Sequence, residues 1–185
     1  MSNTTKRMLA MSLKSLLTKT TLDNITIQDI VDDAEVSRKT FYYHFQDIYD
    51  LMEWTLMEEQ KRLLPEAITL ENWQQEITKV YAYLQENRAL ILNAYHSIQR
   101  ETLENVLMRI LAPRIEGLFR LQPDSDLISD EDRRFLVDIY AFGLSGMILR
   151  WIGSGMPDDI APTINHLFRF FSGSLEDVIR RHLHE

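Results

Sequence analysis

The chain has 185 residues, 45% of them hydrophobic and 26% charged, a balance that suits a folded chain with a sizeable core and excludes intrinsic disorder. There is no cysteine, which excludes disulfide scaffolds, thiolate metal sites and thiol nucleophiles and fits a reducing cytoplasm. The net charge of −8 argues against nucleic acid only until it is divided: residues 1–46 hold six Lys/Arg and five Asp/Glu, whereas residues 47–185 hold fourteen and twenty-three.

Apolar residues recur at helical spacing almost throughout, and no segment alternates with period two between Asn-Gly or Asp-Gly turns, so the expected fold is all-α with about nine helices. The first helix is expected over 4–20, with Leu9, Leu13, Leu16 and Leu17 on one face and Thr4 or Thr5 as its cap. Thr26 and Asp29 then form the Thr-x-x-Asp pattern of a capping box that opens a short helix through Ala34. A three-residue turn follows, and Ser37 caps a helix from Arg38 to His44 or Phe45. The next helix is expected over 47–64, stopped by Pro65, and five more over 71–85, 88–98, 102–121, 130–152 and 160–183, with Pro113 kinking or dividing its helix.

All six glycines lie at or beyond Gly117, so the first 116 residues contain no glycine-rich phosphate loop, and Gly143/Gly146 and Gly153/Gly155 fit neither nucleotide fingerprint. The longest nearly apolar stretch, 139–153, is broken by Ser145 and Arg150 and falls short of the roughly 20 residues a membrane helix needs. No secretory signal is legible at the N-terminus. The expected location is cytoplasmic, with no membrane partner.

The informative segment is T-I-Q-D-I-V-D-D-A-E-V-S-R-K-T-F-Y-Y-H-F, residues 26–45. Ile27, Ile30, Val31, Ala34, Val36, Phe41 and Phe45 suffice to close a small three-helix core against Leu13, Leu16 and Leu17. The second short helix then keeps Arg38, Lys39, Thr40, Tyr42, Tyr43 and His44 for its other face, the groups used on DNA phosphates and base edges. In a helix-turn-helix the second helix presents its N-terminal residues to the major groove. Arg38, Lys39, Thr40 and Tyr43 are therefore the expected base contacts. Thr26, Ser37, Tyr42 and His44 flank them for phosphates, together with Lys6 and Arg7 at the start of the first helix.

With the D-I-Y-D-L that follows, this segment resembles the TetR family of transcriptional regulators over about residues 5–55. The spacing F-Y-x-x-F-x-D-I-Y-D-L-x-x-W is similar to a subgroup of that family that includes the dihydroxyacetone kinase operon activator. The resemblance implies a helix-turn-helix DNA-binding domain, 1–47, and a larger helical effector-binding and dimerisation domain, 48–185. Two positions depart from the family pattern. Glu35 stands where the turn usually has Gly, and must either adopt a left-handed conformation at about 1–2 kcal/mol or turn differently. Ile48 stands where the fourth helix usually begins with Lys, removing one phosphate contact.

The family likeness also implies an effector cavity among the middle helices, for which Tyr81, Tyr95, His96, Met108 and Trp151 combine apolar walls with polar handles. The last two long helices carry more apolar surface than one packing face requires. Ile139, Gly143 and Met147, with Leu167, Phe168, Phe171 and Leu175, are the expected homodimer interface, and Gly143 and Gly146 would allow close helix approach. A two-fold dimer would set two reading helices roughly 34–36 Å apart on a palindromic operator of double-stranded DNA. The effector is an unknown small molecule or partner protein.

Two other classes compete. A carboxylate-bridged metal enzyme needs Glu-x-x-His pairs facing inward, but Phe41, Asn93, Thr163, Ile179 and Arg181 stand three residues before the five histidines, and no His-Glu-x-x-His or Gly-x-Ser-x-Gly occurs. No enzyme, metal or cofactor is expected. The other rival is an interaction module with the helix-turn-helix fold, or a partner-dependent coactivator with weak DNA binding of its own, which Glu35 and Ile48 keep open.

Overall fold

A computed structural model describes residues 2–64, 69, 71–157, 159, 161–171 and 173–182. The described elements are α1 (Ser2–Leu17), α2 (Ile27–Asp33), α3 (Arg38–His44), α4 (Ile48–Leu63), α5 (Trp73–Glu86), α6 (Arg88–Ser97), α7 (Arg100–Arg120), α8 (Asp130–Gly153), α9 (Ala161–Phe171) and α10 (Ser174–His182), with 3-10 turns at Leu22–Asn24 and Ser125–Leu127. Among the described residues there is no strand, and the fold is all-α.

Several helix starts follow from side-chain caps. Thr26 and Asp29 form a reciprocal capping box, Ser37 accepts the N–H of Thr40, and Ser129 accepts the N–H of Asp132 at the head of α8. A further reciprocal pair precedes α5: Thr69 N–H donates to Asn72 Oδ1 at 2.8 Å, and Asn72 N–H donates to Thr69 Oγ1 at 3.3 Å.

One expectation about helix continuity is corrected, and of the two alternatives for Pro113 division is removed. The helix expected over 160–183 is two helices, because Gly173 adopts φ 80°, a left-handed conformation through which a helix does not continue. Pro113 does not divide α7, which runs unbroken from Arg100 to Arg120. The Arg114 guanidinium donates to the Ile110 carbonyl at 2.6 Å, placing a side-chain donor in the turn where the proline removes a backbone one. The expected stop at Pro65 lies outside the described residues.

The chain divides into two compact units, Met1–Arg62 with Asn87–Val106 and Leu63–Glu86 with Leu107–Glu185. The first unit includes α4, up to Arg62, and α6. Its centre holds Leu9, Leu13 and Leu17 of α1, Ile30 and Val31 of α2, and Phe41 and Phe45 from α3 and its C-cap, all buried. Each such side chain contributes about 1.5–3 kcal/mol. Ser12, also buried, donates to the Ile30 carbonyl at 3.0 Å and ties α1 to α2. Helix α6 serves the same core. Asn93 Nδ2 donates to the Leu17 carbonyl at 2.8 Å, satisfying an acceptor that the end of α1 leaves open, and Ser97 Oγ accepts the Asp23 N–H at 3.3 Å.

The second unit is built on Ile115 and Phe119 of α7, Ile128, Val137, Tyr140 and Ala141 of α8, and Ile179 of α10, with Met108, Leu111, Leu136 and Leu144 packed around them. Phe119 and Tyr140 meet edge to face at 5.7 Å, and the Tyr140 hydroxyl donates to Ser174 Oγ at 3.3 Å. Helix α8 has 24 residues and a window of mean hydropathy 1.5, so by length and composition it is apolar enough to cross a membrane, beyond the shorter stretch that the sequence suggested. Val137, Ala141, Ser145, Leu149 and Ile152 are nevertheless buried within the unit, as in a core helix.

Candidate nucleic-acid interface

Helix α3 separates two chemistries by face. Phe41 and Phe45 point into the core, their rings 6.0 Å apart, because an i, i+4 pair shares one side of a helix. The opposite side carries the exposed Arg38, Lys39, Tyr42 and Tyr43, with Tyr43 81% exposed. An open tyrosine offers a flat ring and a hydroxyl for stacking or base-edge contact. Thr40 is half-buried, and its hydroxyl lies 2.8 Å from Ser37 Oγ.

Arg38 is pre-oriented. Its guanidinium lies 5.8 Å from the Tyr42 ring centroid, and Nη2 donates to the Tyr42 hydroxyl at 3.4 Å. That contact restrains a long side chain before any ligand arrives, lowering the entropy lost on docking. His44 is half-buried at the last turn of α3, edge to face with Tyr43 at 4.9 Å. Arg7 and Thr26 are exposed. Lys6 is only half-buried and its ammonium lies 5.2 Å from the Phe45 ring centroid and 5.7 Å from that of Trp54.

The turn before α3 takes the left-handed alternative. Glu35 has φ 52°, while the N–H of Val36 donates to the Val31 carbonyl at 3.0 Å and that of Glu35 to the Asp32 carbonyl at 3.3 Å. These are the two bonds of a Schellman cap. The glutamate is therefore accommodated, with strain, and α3 is set at a defined exit from α2.

The five residues nominated for an effector do not share a unit. Tyr81 and Trp151 meet edge to face at 4.9 Å in the second unit, where Trp151 Nε1 donates to the Pro157 carbonyl at 3.2 Å and burial pushes the Tyr81 phenol above its ordinary value. Met108 packs on that unit's core, accepting from Ser145 Oγ at 3.9 Å. Tyr95 and His96 belong to the first unit, their rings 5.6 Å apart. A shallow depression of the first unit is lined by Tyr49, Met52, Glu53, Leu56, Ile98, Thr102, Leu103 and Val106, none of which was nominated.

On the nominated interface, Ile139 and Gly143 are exposed and Met147 half-buried, whereas Leu167 is buried in its own protomer and belongs to the core. The side chains of Phe168, Phe171 and Leu175 lie outside the described residues. Phe135, Phe142 and Phe170, outside the expected interface set, are 65%, 57% and 65% exposed. Their signal was available: Phe135, Ile139, Phe142 and Gly146 recur at the spacing of one helix face. Among the described residues, no group of three or more His, Asp or Glu is placed to hold a metal ion.

A model of the bacterial regulatory proteins of the tetR family matches residues 14–53, and a model of a transcriptional regulator C-terminal region matches residues 71–173. Over 84 residues the chain is 29% identical to the HTH-type dhaKLM operon transcriptional activator DhaS of Lactococcus lactis subsp. lactis (strain IL1403). That match covers 45% of this chain and 45% of the relative, so it spans about half the length of the curated protein. A solved structure of the dihydroxyacetone kinase operon activator DhaS shares the fold, with a TM-score of 0.64 over 95% of this chain and 96% of that one, at 19% identity.

Proposed function

The chain belongs to the tetR family of bacterial regulatory proteins and is a DNA-binding transcription regulator, not an enzyme; from that premise we propose that it acts as a cytoplasmic homodimer on a palindromic operator. The observation that carries this reading is the division of α3, with Phe41 and Phe45 buried and Arg38, Lys39 and Tyr43 open. In this reading Arg38 and Lys39 contact guanine O6 and N7, Thr40 and Tyr43 reach thymine methyls, and Arg7, Thr26, Ser37, Tyr42 and His44 hold phosphates. The functional boundary remains near residue 47, because all of these groups precede it.

Dimerisation is proposed through the open face of α8, where Phe135, Ile139, Phe142 and Gly143 leave apolar surface exposed. A two-fold pair would space the two α3 helices for successive major grooves. Control is proposed through a small molecule or partner protein acting on the second unit, where Tyr81 and Trp151 combine aromatic walls with a hydroxyl. An effector must favour one arrangement of the two reading helices by a differential free energy, typically about 1–3 kcal/mol.

The reading is tested by titrating purified protein onto the DNA upstream of its own coding region and onto a scrambled copy. Tight binding to a two-fold site in the first, with one or two dimers bound, supports it. Equal, weak binding to both transfers the weight to a module that binds another protein.

A further inference from the structure

Lys6 is half-buried, and its ammonium is engaged by two aromatic rings. Phe45 is the C-cap of α3, where the chain leaves the reading helix in an extended conformation, φ −141°, and its ring meets Trp54 of α4 at 5.9 Å. Lys6 approaches both rings, 5.2 Å from the Phe45 centroid and 5.7 Å from that of Trp54, inside the roughly 6 Å at which a ring face attracts a cation. Eight residues along α1, Lys14 pairs with Glu59 of α4 at 3.0 Å. The two lysines thus turn to α4, while Arg7, beside Lys6, is exposed.

We propose that Lys6 is a positioning residue for DNA binding: it clasps the end of α3 to α4 through Phe45 and Trp54 and does not itself hold a phosphate. The proposal rests on the DNA-binding reading above. A reading helix transmits its register to the groove only if its exit is fixed. Phe45 anchors that exit in the core, Trp54 covers the ring from α4, and the ammonium holds the pair from α1. Loss of any of the three frees α3 to rock and lowers affinity without removing a contact to DNA.

The test is a double-mutant cycle of Lys6→Met and Trp54→Leu in the full chain, read by operator binding over a salt series and by unfolding of the DNA-free protein. The clasp predicts that each single variant weakens binding roughly 3- to 10-fold, that the double is no weaker than the worse single, and that the slope of log K against log salt stays at the wild-type value. Unfolding should show the same non-additivity. The proposal is overturned if Lys6→Met lowers the slope by about 0.9 per subunit, the mark of a lost phosphate contact, while Trp54→Leu binds as wild type. If Trp54→Leu fails to fold, the slope of Lys6→Met decides alone. Failure of the underlying reading is distinguishable: the wild type would then show no operator preference while the coupling between Lys6 and Trp54 in unfolding persists, whereas failure of the clasp leaves operator binding intact and the coupling absent.

Discussion

Val36 donates its backbone N–H to the carbonyl of Val31 at 3.0 Å, and that bond closes the turn between α2 and α3 around a left-handed Glu35. The same cap ends α8, where Met156 N–H donates to the Trp151 carbonyl at 3.0 Å and Gly155 takes the left-handed position at φ 85°. Glu35 therefore occupies a glycine's place. Its strain costs about 1–2 kcal/mol, partly offset because glycine gains freedom in the unfolded chain by about 0.5–1 kcal/mol. Glu35→Gly should stabilise the protein by about 0.5–1 kcal/mol, measured by urea unfolding, and leave operator preference unchanged.

Asn93 should matter more than its place on α6 suggests, because its amide serves the Leu17 carbonyl at the end of α1. Asn93→Ala leaves that part-buried acceptor without its donor, at about 1–2 kcal/mol. The loss should appear as lower urea resistance and as faster hydrogen exchange at the C-terminal turn of α1. Exchange confined to α5 or α9 would contradict the assignment.

The capping box gives α2 a pH dependence. The Thr26 hydroxyl, then its backbone N–H, hold the Asp29 carboxyl below its ordinary value of 3.8. A lowered folded-state value contributes stability that is present above the ordinary carboxylate value and is lost as pH falls through the folded one. Wild type should therefore exceed Asp29→Asn in stability at neutral pH, and the two curves should converge in acid below 3.8.

Phe142 tests the interface proposed on α8. It is 57% exposed, so Phe142→Glu should leave the helical spectrum and monomer fold intact while burying a charge in any two-fold contact. Sedimentation should show a shift from dimer to monomer of at least about tenfold in dissociation constant. Leu167→Ala, a core truncation, should instead cost about 2–5 kcal/mol of stability.

The helix-turn-helix was legible because its signals are local. Thr26-x-x-Asp29 and Ser37 announce two caps within a few residues of the groups they satisfy, and Phe41 and Phe45 declare their face by spacing alone. The remainder depends on contacts between distant segments. Helix α8 carries two apolar stripes, and periodicity could group Phe135, Ile139 and Phe142 on one of them without saying that this stripe, and not that of Val137, Tyr140 and Ala141, is left open. Likewise, Tyr95 and His96 read as neighbours of Tyr81 in sequence, but α6 returns to the end of α1 through Asn93 and to the 3-10 turn after it through Ser97. Gly173 was hidden because apolar residues at 164, 167, 175 and 178 keep helical spacing across it.

The central claim, that α3 reads DNA, is tested most directly by comparing wild type with the Arg38→Ala/Lys39→Ala double variant on the upstream DNA, with circular dichroism to confirm the fold. Two lost base contacts at about 1–3 kcal/mol each predict at least a roughly 30-fold loss of affinity for that site, and a preference over scrambled DNA that disappears. A folded double variant that binds the site as tightly and as selectively as wild type would contradict the account.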